Sequence, residues 1–143
     1  MDVVNEVIGI WRAEGIELNG GAEPDELDAL RGLLGGNLGE EVSTLYRLAN
    51  GMVDLTYDDR QASFWSIDKI RSRAGEGSAE PVAFADFMLD SWYFRFAQTD
   101  AGLVVITENV RPGAQPKEIG SFADFLRAYI DRPTSLGLLS PSK

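Results

Sequence analysis

The spacing of the hydrophobic residues changes twice along the chain, and this change limits the folds that the sequence can adopt. Three segments in the first 50 residues, about 2–14, 24–34 and 39–49, repeat apolar side chains at helical spacing. Between residues 64 and 107 the apolar residues form short aromatic or β-branched runs, which are typical of strands. Residues 121–130 return to helical spacing. Helices, then strands, then one helix predict an α+β domain.

The strand-like part of the sequence divides into four segments. The candidate strands are residues 64–67, 81–87, 92–97 and 102–107. The intervening residues 88–91 and 98–101 are short enough to be hairpin connections, so successive strands are expected to pair antiparallel as a meander. We therefore expect N-terminal helices packed on an antiparallel sheet of about four strands, closed by a C-terminal helix.

Two local signals mark the ends of helices. Ser121 is followed three residues later by Asp124, which predicts a capping box at the start of the last helix. Asn50 and Gly51 follow the third helix and predict a left-handed cap at Gly51. We expect residues 1–132 to form a single domain and residues 133–143 to be a loosely ordered tail.

Composition excludes several kinds of chemistry. The chain contains no Cys and no His, so thiolate nucleophiles, Ser-His-Asp triads and zinc sites built on Cys or His are impossible. The formal net charge is −10, which disfavours direct binding to nucleic acids or anionic membranes. No apolar run approaches the ~20 residues of a membrane span, and the N terminus does not resemble a signal peptide. These features favour a cytoplasmic protein.

The acidic segment after Asn50-Gly51 is the first candidate site. It carries Asp54, Asp58 and Asp59, with Arg60 directly behind them. The spacing does not match a calcium-binding EF-hand loop, so we expect no metal there. A solvated acidic loop is the simplest interpretation, and a partner-binding loop is the alternative.

The second candidate site is the predicted hairpin tip around residues 88–91. Asp86 and Asp90 flank the apolar residues Phe87, Met88 and Leu89. Ordinary turn chemistry would explain Asp90, whereas an exposed Met and aromatic side chain beside acids is also typical of protein-binding surfaces. The aromatic residues of the strand segments are expected to be core, with a ligand pocket as the alternative; they are Trp65, Phe84, Trp92, Phe94 and Phe96.

Several segments resemble the SUKH superfamily, also described as Smi/Knr-like proteins. Residues 30–39 (LRGLLGGNLG) and 45–51 (LYRLANG) resemble its first two helix ends, although Gly39 stands where the family usually has Pro. The strands 64–67 (FWSI) and 84–86 (FAD), with the final helix starting SFADFL at 121–126, are similar to its later motifs. The resemblance covers about residues 24–130.

The resemblance implies an α+β domain that acts through protein contacts and has no catalytic residues. Bacterial members often serve as immunity proteins that neutralise a toxin, often a nuclease. We therefore expect a non-catalytic module without a cofactor, which presents acids to a basic protein partner such as a toxin domain. A regulatory or scaffold protein without a toxin partner is the main alternative. A carboxylate- or Mg²⁺-dependent hydrolase is less favoured, since no pair of acids stands out in the sequence.

Overall fold

The fold comprises five helices and a five-stranded antiparallel sheet within the part of the chain that the structure, a computed structural model, describes. The described residues are 2–59, 61–74, 81–87, 92–100, 102–109 and 115–131. The helices are α1 (Val3–Ala13), α2 (Pro24–Leu33), α3 (Glu40–Leu48), α4 (Ile67–Ala74) and α5 (Phe122–Asp131). The strands are β1 (Ala62–Phe64), β2 (Val82–Phe87), β3 (Trp92–Thr99), β4 (Gly102–Asn109) and β5 (Lys117–Gly120). The predicted α+β class and antiparallel meander are confirmed.

Local sequence signals place most helix ends. The side chain of Asp2 accepts a hydrogen bond from the backbone N–H of Val4 and caps α1. Pro24 opens α2 behind a capping box formed by Glu23 and Glu26. The predicted capping box of α5 is present, since Asp124 N donates to Ser121 Oγ at 3.0 Å and Ser121 N donates to Asp124 Oδ2 at 3.2 Å.

The sheet runs in the order β1-β2-β3-β4-β5, so β1 and β5 are its edges. One face packs against the helices. There Phe84 and Phe96 stack with ring centroids 4.1 Å apart, and Phe94 meets Phe125 of α5 edge-on at 4.8 Å. Helix α1 packs on α5 and α3, and Trp11 Nε1 donates to the hydroxyl of Tyr129 at 2.7 Å. The aromatic strand residues are therefore core, as expected, with Trp92 only partly buried.

The opposite face of the sheet carries a row of polar side chains. The pairing register aligns Ser63 of β1, Asp86 of β2, Tyr93 of β3 and Glu108 of β4 across four strands. In β3 side chains alternate between the two faces, so Tyr93 lies opposite Phe94 and Phe96. An irregularity in β2 between Ala83 and Ala85 interrupts this alternation, so Asp86 pairs in the row of Tyr93 although Phe84 is two residues before it. Helix α4, which contacts β2, brings the basic residues Lys69 and Arg73 to the same region.

Three elements, β1, α4 and β5, differ from the sequence prediction. The predicted strand 64–67 ends at Phe64, because Ile67 is the first residue of α4. Only Ile67 and Ile70 of this helix are buried, so its apolar pattern is weak. Strand β5 was not predicted, since residues 117–120 (KEIG) contain one apolar side chain, too few to show alternation. The predicted tail 133–143 lies outside the described residues.

Candidate protein-interaction site

Residues 52–58 form a loop that is fixed at both ends to the edge strand β1. Met52 N donates to Phe64 O at 2.7 Å, and Asp58 N donates to Ala62 O at 2.9 Å. The middle of the loop contains a β-turn, residues 53–56, in which Thr56 N donates to Val53 O at 3.0 Å. We refer to residues 53–56 as the Leu55 turn.

Leu55 occupies an unfavourable backbone conformation in this turn. Its φ is +67°, in the left-handed region that the third position of a type II turn normally reserves for glycine. Its side chain is 80% exposed, the largest value among the exposed large apolar residues of the described part. Val53 of the same turn is 37% exposed. The loop thus holds a large apolar side chain in solvent at a backbone cost.

A buried carboxylate connects the loop to the sheet. Asp86 is fully buried, and its Oδ2 accepts a hydrogen bond of 2.6 Å from the hydroxyl of Tyr57, the residue after the Leu55 turn. Its Oδ1 accepts a hydrogen bond of 2.7 Å from Trp65 Nε1. Asp86 therefore fixes two aromatic side chains from different segments, and its role in this geometry is structural.

Trp65 is covered by the cations of α4. Lys69 Nζ lies 5.0 Å and Arg73 Cζ lies 4.7 Å from the centroid of its ring. Arg73 also donates to the hydroxyl of Tyr93 at 3.0 Å. Arg95 Cζ also lies 5.2 Å from the centroid of the Tyr93 ring. A basic and aromatic cluster thus occupies one face of an acidic protein.

A groove of about 450 Å³ lies beside the Leu55 turn. Its walls come from the 52–54 segment, the end of β1 and α4, and it contains both ionic and hydroxyl groups; its lining is Met52, Asp54, Ser63, Phe64, Trp65, Ser66, Asp68, Lys69, Ser72 and Arg73. We refer to it as the Lys69 groove. Among these lining residues, Lys69 Nζ and Asp54 Oδ1 form an ion pair of 3.0 Å. The hydrogen bond and the charge of Lys69 hold the pKa of Asp54 below its ordinary value.

The structure places the acids of the two predicted sites in different environments. Asp54 and Asp59 are exposed, as expected. Asp58 is only 4% exposed, because its Oδ1 accepts a hydrogen bond from Ala62 N at 3.0 Å and its backbone closes the turn into β1. Asp86 and Phe87 are also buried, so the expectation of exposed binding side chains is wrong for these three residues. Met88 and Asp90 lie outside the described residues.

The Asn50-Gly51 pair is structural, but its mechanism differs from the predicted helix cap. Asn50 Oδ1 accepts a hydrogen bond from Ile67 N at 2.8 Å and so holds the first residue of α4. Gly51 has the expected positive φ of +75°. A methyl group at Gly51 would overlap the backbone of Trp65, so glycine is also required by close approach.

The site contains residues that sequence reasoning did not select. Lys69, Arg73 and Tyr57 are not among the predicted site residues, and Trp65 is predicted to be core, with a ligand pocket as the alternative. A signal for α4 exists, since Ile67, Ile70 and Ala74 follow helical spacing. No comparable local signal identifies Tyr57, because its partner Asp86 is 29 residues away.

No helix in the described ranges is long and apolar enough to cross a membrane. Within the same ranges, no group of three or more acidic residues is arranged to hold a metal ion. Comparison with models of known protein families and with curated proteins gave no match.

Proposed function

We propose that this chain is a non-catalytic protein-binding module and that the Leu55 turn is the centre of its contact surface. The observation that carries the proposal is the exposed Leu55 side chain at a φ of +67°. A non-glycine residue in this region costs of the order of 1–3 kcal/mol and persists only where the surroundings enforce it. Such strain is often found where function requires a particular side chain.

The loop is suited to binding because its ends are already fixed. Met52 and Asp58 are hydrogen-bonded to β1, and Tyr57 is hydrogen-bonded to the buried Asp86. A preordered loop loses little conformational entropy when a partner binds, so more of the contact energy contributes to affinity. Apolar side chains that enter a pocket of the partner commonly supply most of the binding energy of an interface.

Charge indicates the kind of partner. Asp54 within the turn and Asp59 just beyond it are exposed, and the whole chain has a net charge of −10. A basic partner would be attracted by this field, which accelerates encounter, while burial of Leu55 would slow dissociation. The proposed acidic surface therefore includes Asp54 and Asp59, whereas the buried Asp58 and Asp86 do not contribute to it.

The resemblance to the SUKH superfamily supports a more specific proposal, that of an immunity protein acting in the cytoplasm. The partner would be a toxin domain, and a nuclease fits best because its phosphate-binding cleft must be basic. A regulator or scaffold without a toxin partner would use the same surface. A gene for a secreted protein with a toxin-like C-terminal domain beside this gene would distinguish the two.

The test compares Leu55→Gly with a control on the opposite edge of the sheet. Glycine tolerates the positive φ, so Leu55→Gly removes the side chain without changing the backbone. Affinity for the purified candidate toxin domain is measured by calorimetry, and protection by growth of cells that express the toxin. We expect an affinity loss of about thirtyfold or more and loss of protection. Glu118→Gly, on β5, should behave like wild type.

Two outcomes would contradict these proposals at different levels. If Leu55→Gly binds the toxin domain as tightly as Glu118→Gly does, the Leu55 turn is not the contact surface. If wild type neither binds nor protects against the toxin domain encoded beside its gene, the immunity proposal is wrong, and the regulatory alternative is favoured.

A further inference from the structure

In the Lys69 groove, Lys69 already pairs with a carboxylate of the same chain, that of Asp54. The carboxylate of Asp54 lies 3.0 Å from Lys69 Nζ, and the Asp54 side chain is 71% exposed whereas that of Lys69 is 26% exposed. The cation is therefore part of the wall, and the acid reaches over it from the solvent side. An exposed ion pair of this kind is weak, so another anion can compete for Lys69.

The second cation of the groove is held in place by aromatic groups. Arg73 lies over Trp65 and is hydrogen-bonded to Tyr93, so its position does not depend on a bound ligand. Three serines, Ser63, Ser66 and Ser72, add hydroxyl groups, and Met52, Phe64 and Trp65 add apolar wall. Guanidinium, ammonium and hydroxyl donors together are the groups that recognise phosphate in proteins. The volume of about 450 Å³ is within the range of small-molecule sites.

Two acids also line the groove. The positions of these acids and of the two cations determine whether a negatively charged ligand can bind. Asp54, Asp68 and Arg73 are exposed and Lys69 is partly buried. The two cations lie against the ring of Trp65, where their positions are fixed. We propose that the Lys69 groove binds a small phosphate monoester, with Lys69 and Arg73 contacting the phosphate and Asp54 competing with it for Lys69. The apolar wall would contact the organic part of the ligand.

Phenyl phosphate is a suitable probe for the proposed site. Inorganic phosphate and phenol, which correspond to its phosphate group and its aromatic group, are tested separately. The indole N–H signal of Trp65 in NMR spectra reports on the groove, because this ring touches both cations. Phenyl phosphate should shift this signal and the amide signals of α4 in a saturable manner. Inorganic phosphate should bind more weakly at the same residues, and phenol should not bind. Binding of phenol as tight as that of phenyl phosphate, or shifts that do not saturate, would overturn the proposal.

Two matched pairs of variants test the assigned roles. Lys69→Met should weaken phenyl phosphate binding about tenfold or more, while Lys117→Met, which removes a lysine on β5, should not. Asp54→Asn should tighten binding about fivefold, because it removes the competing charge. Asp59→Asn makes the same change in net charge outside the groove and should have little effect. Equal affinities within either pair would overturn the proposal, and the result does not depend on any protein partner.

Discussion

The hydroxyl of Tyr57 donates a hydrogen bond of 2.6 Å to Oδ2 of Asp86, which connects the end of the Leu55 turn to the second strand of the sheet. The other oxygen of Asp86 accepts from Trp65 Nε1 at 2.7 Å. One buried carboxylate therefore positions the loop proposed to bind a partner and the ring that supports the Lys69 groove. The two proposed sites share this support.

The first prediction concerns Asp86. Asp86→Ala should lower the free energy of unfolding by at least about 2 kcal/mol, since it leaves two donors without their acceptor, and each costs about 1–3 kcal/mol when buried. Tyr57→Phe removes only one of these hydrogen bonds and should cost about 1 kcal/mol. Urea unfolding measures both. Equal, small losses for the two variants would show that Asp86 does not support Trp65.

The second prediction separates two neighbouring acids of the same loop. Asp58→Ala should cost about 1–3 kcal/mol, because the buried N–H of Ala62 loses its acceptor. Asp59→Ala should change stability by less than about 0.5 kcal/mol, because its side chain is exposed. If the two variants unfold at the same urea concentration, the turn before β1 does not depend on the Asp58 side chain.

The contrast between Asp58 and Asp59 also shows what the sequence could predict. Helices α1, α2, α3 and α5 and strands β2, β3 and β4 follow from hydrophobic spacing and capping residues, because these are local properties. The burial of Asp58 and Asp86 does not follow, since a carboxylate is buried only where distant donors meet it. Asp86 takes its donors from positions 21 and 29 residues away.

The same limit applies to the candidate site. The acidic segment 54–59 lies in the loop that we propose as the contact surface, yet the pattern of acids indicates charge rather than Leu55. A positive φ at a leucine cannot be read from composition, because leucine normally avoids it. The groove depends on α4, whose short sequence is dominated by charged residues, and only its first residue, Ile67, falls within the predicted strand 64–67.

The third prediction compares two glycines that have the same φ. Gly51 and Gly15 both have φ of +75°, but only Gly51 faces a neighbouring backbone, that of Trp65. Gly15→Ala should cost about 1 kcal/mol, from the left-handed conformation alone. Gly51→Ala should cost roughly 2–4 kcal/mol, because overlap with Trp65 adds to that penalty. Thermal unfolding of the pair checks this, and similar losses would mean that the loop moves away from Trp65 easily.

The fourth prediction concerns the strain at Leu55. Leu55→Gly should raise the free energy of unfolding by up to about 1 kcal/mol, since glycine accepts the positive φ and the leucine side chain contributes little burial. The greater entropy of glycine in the unfolded chain limits the gain. A variant that is more stable and yet loses partner binding would show that the leucine is retained for function. A clear loss of stability would instead show that Leu55 packs against its neighbours.

The fifth prediction is a dependence of stability on alkaline pH. Tyr46 is buried, and its hydroxyl donates to Trp65 O at 3.1 Å. Burial raises the pKa of Tyr46 well above its ordinary value, because the charged phenolate is poorly solvated in the core. A group whose pKa is higher in the folded state stabilises the fold below the unfolded pKa, and this contribution is lost as pH rises above about 10.

Tyr46→Phe isolates this effect, because phenylalanine keeps the ring and cannot ionise. The variant should lose about 1 kcal/mol at neutral pH, where the hydrogen bond to Trp65 O is missing. Above about pH 10 the wild type should lose stability more steeply than the variant, so the difference between them should shrink or reverse. Urea midpoints at neutral and alkaline pH measure both effects. Parallel declines of the two proteins would mean that Tyr46 does not contribute to the alkaline loss, and that other groups unfold the domain at high pH.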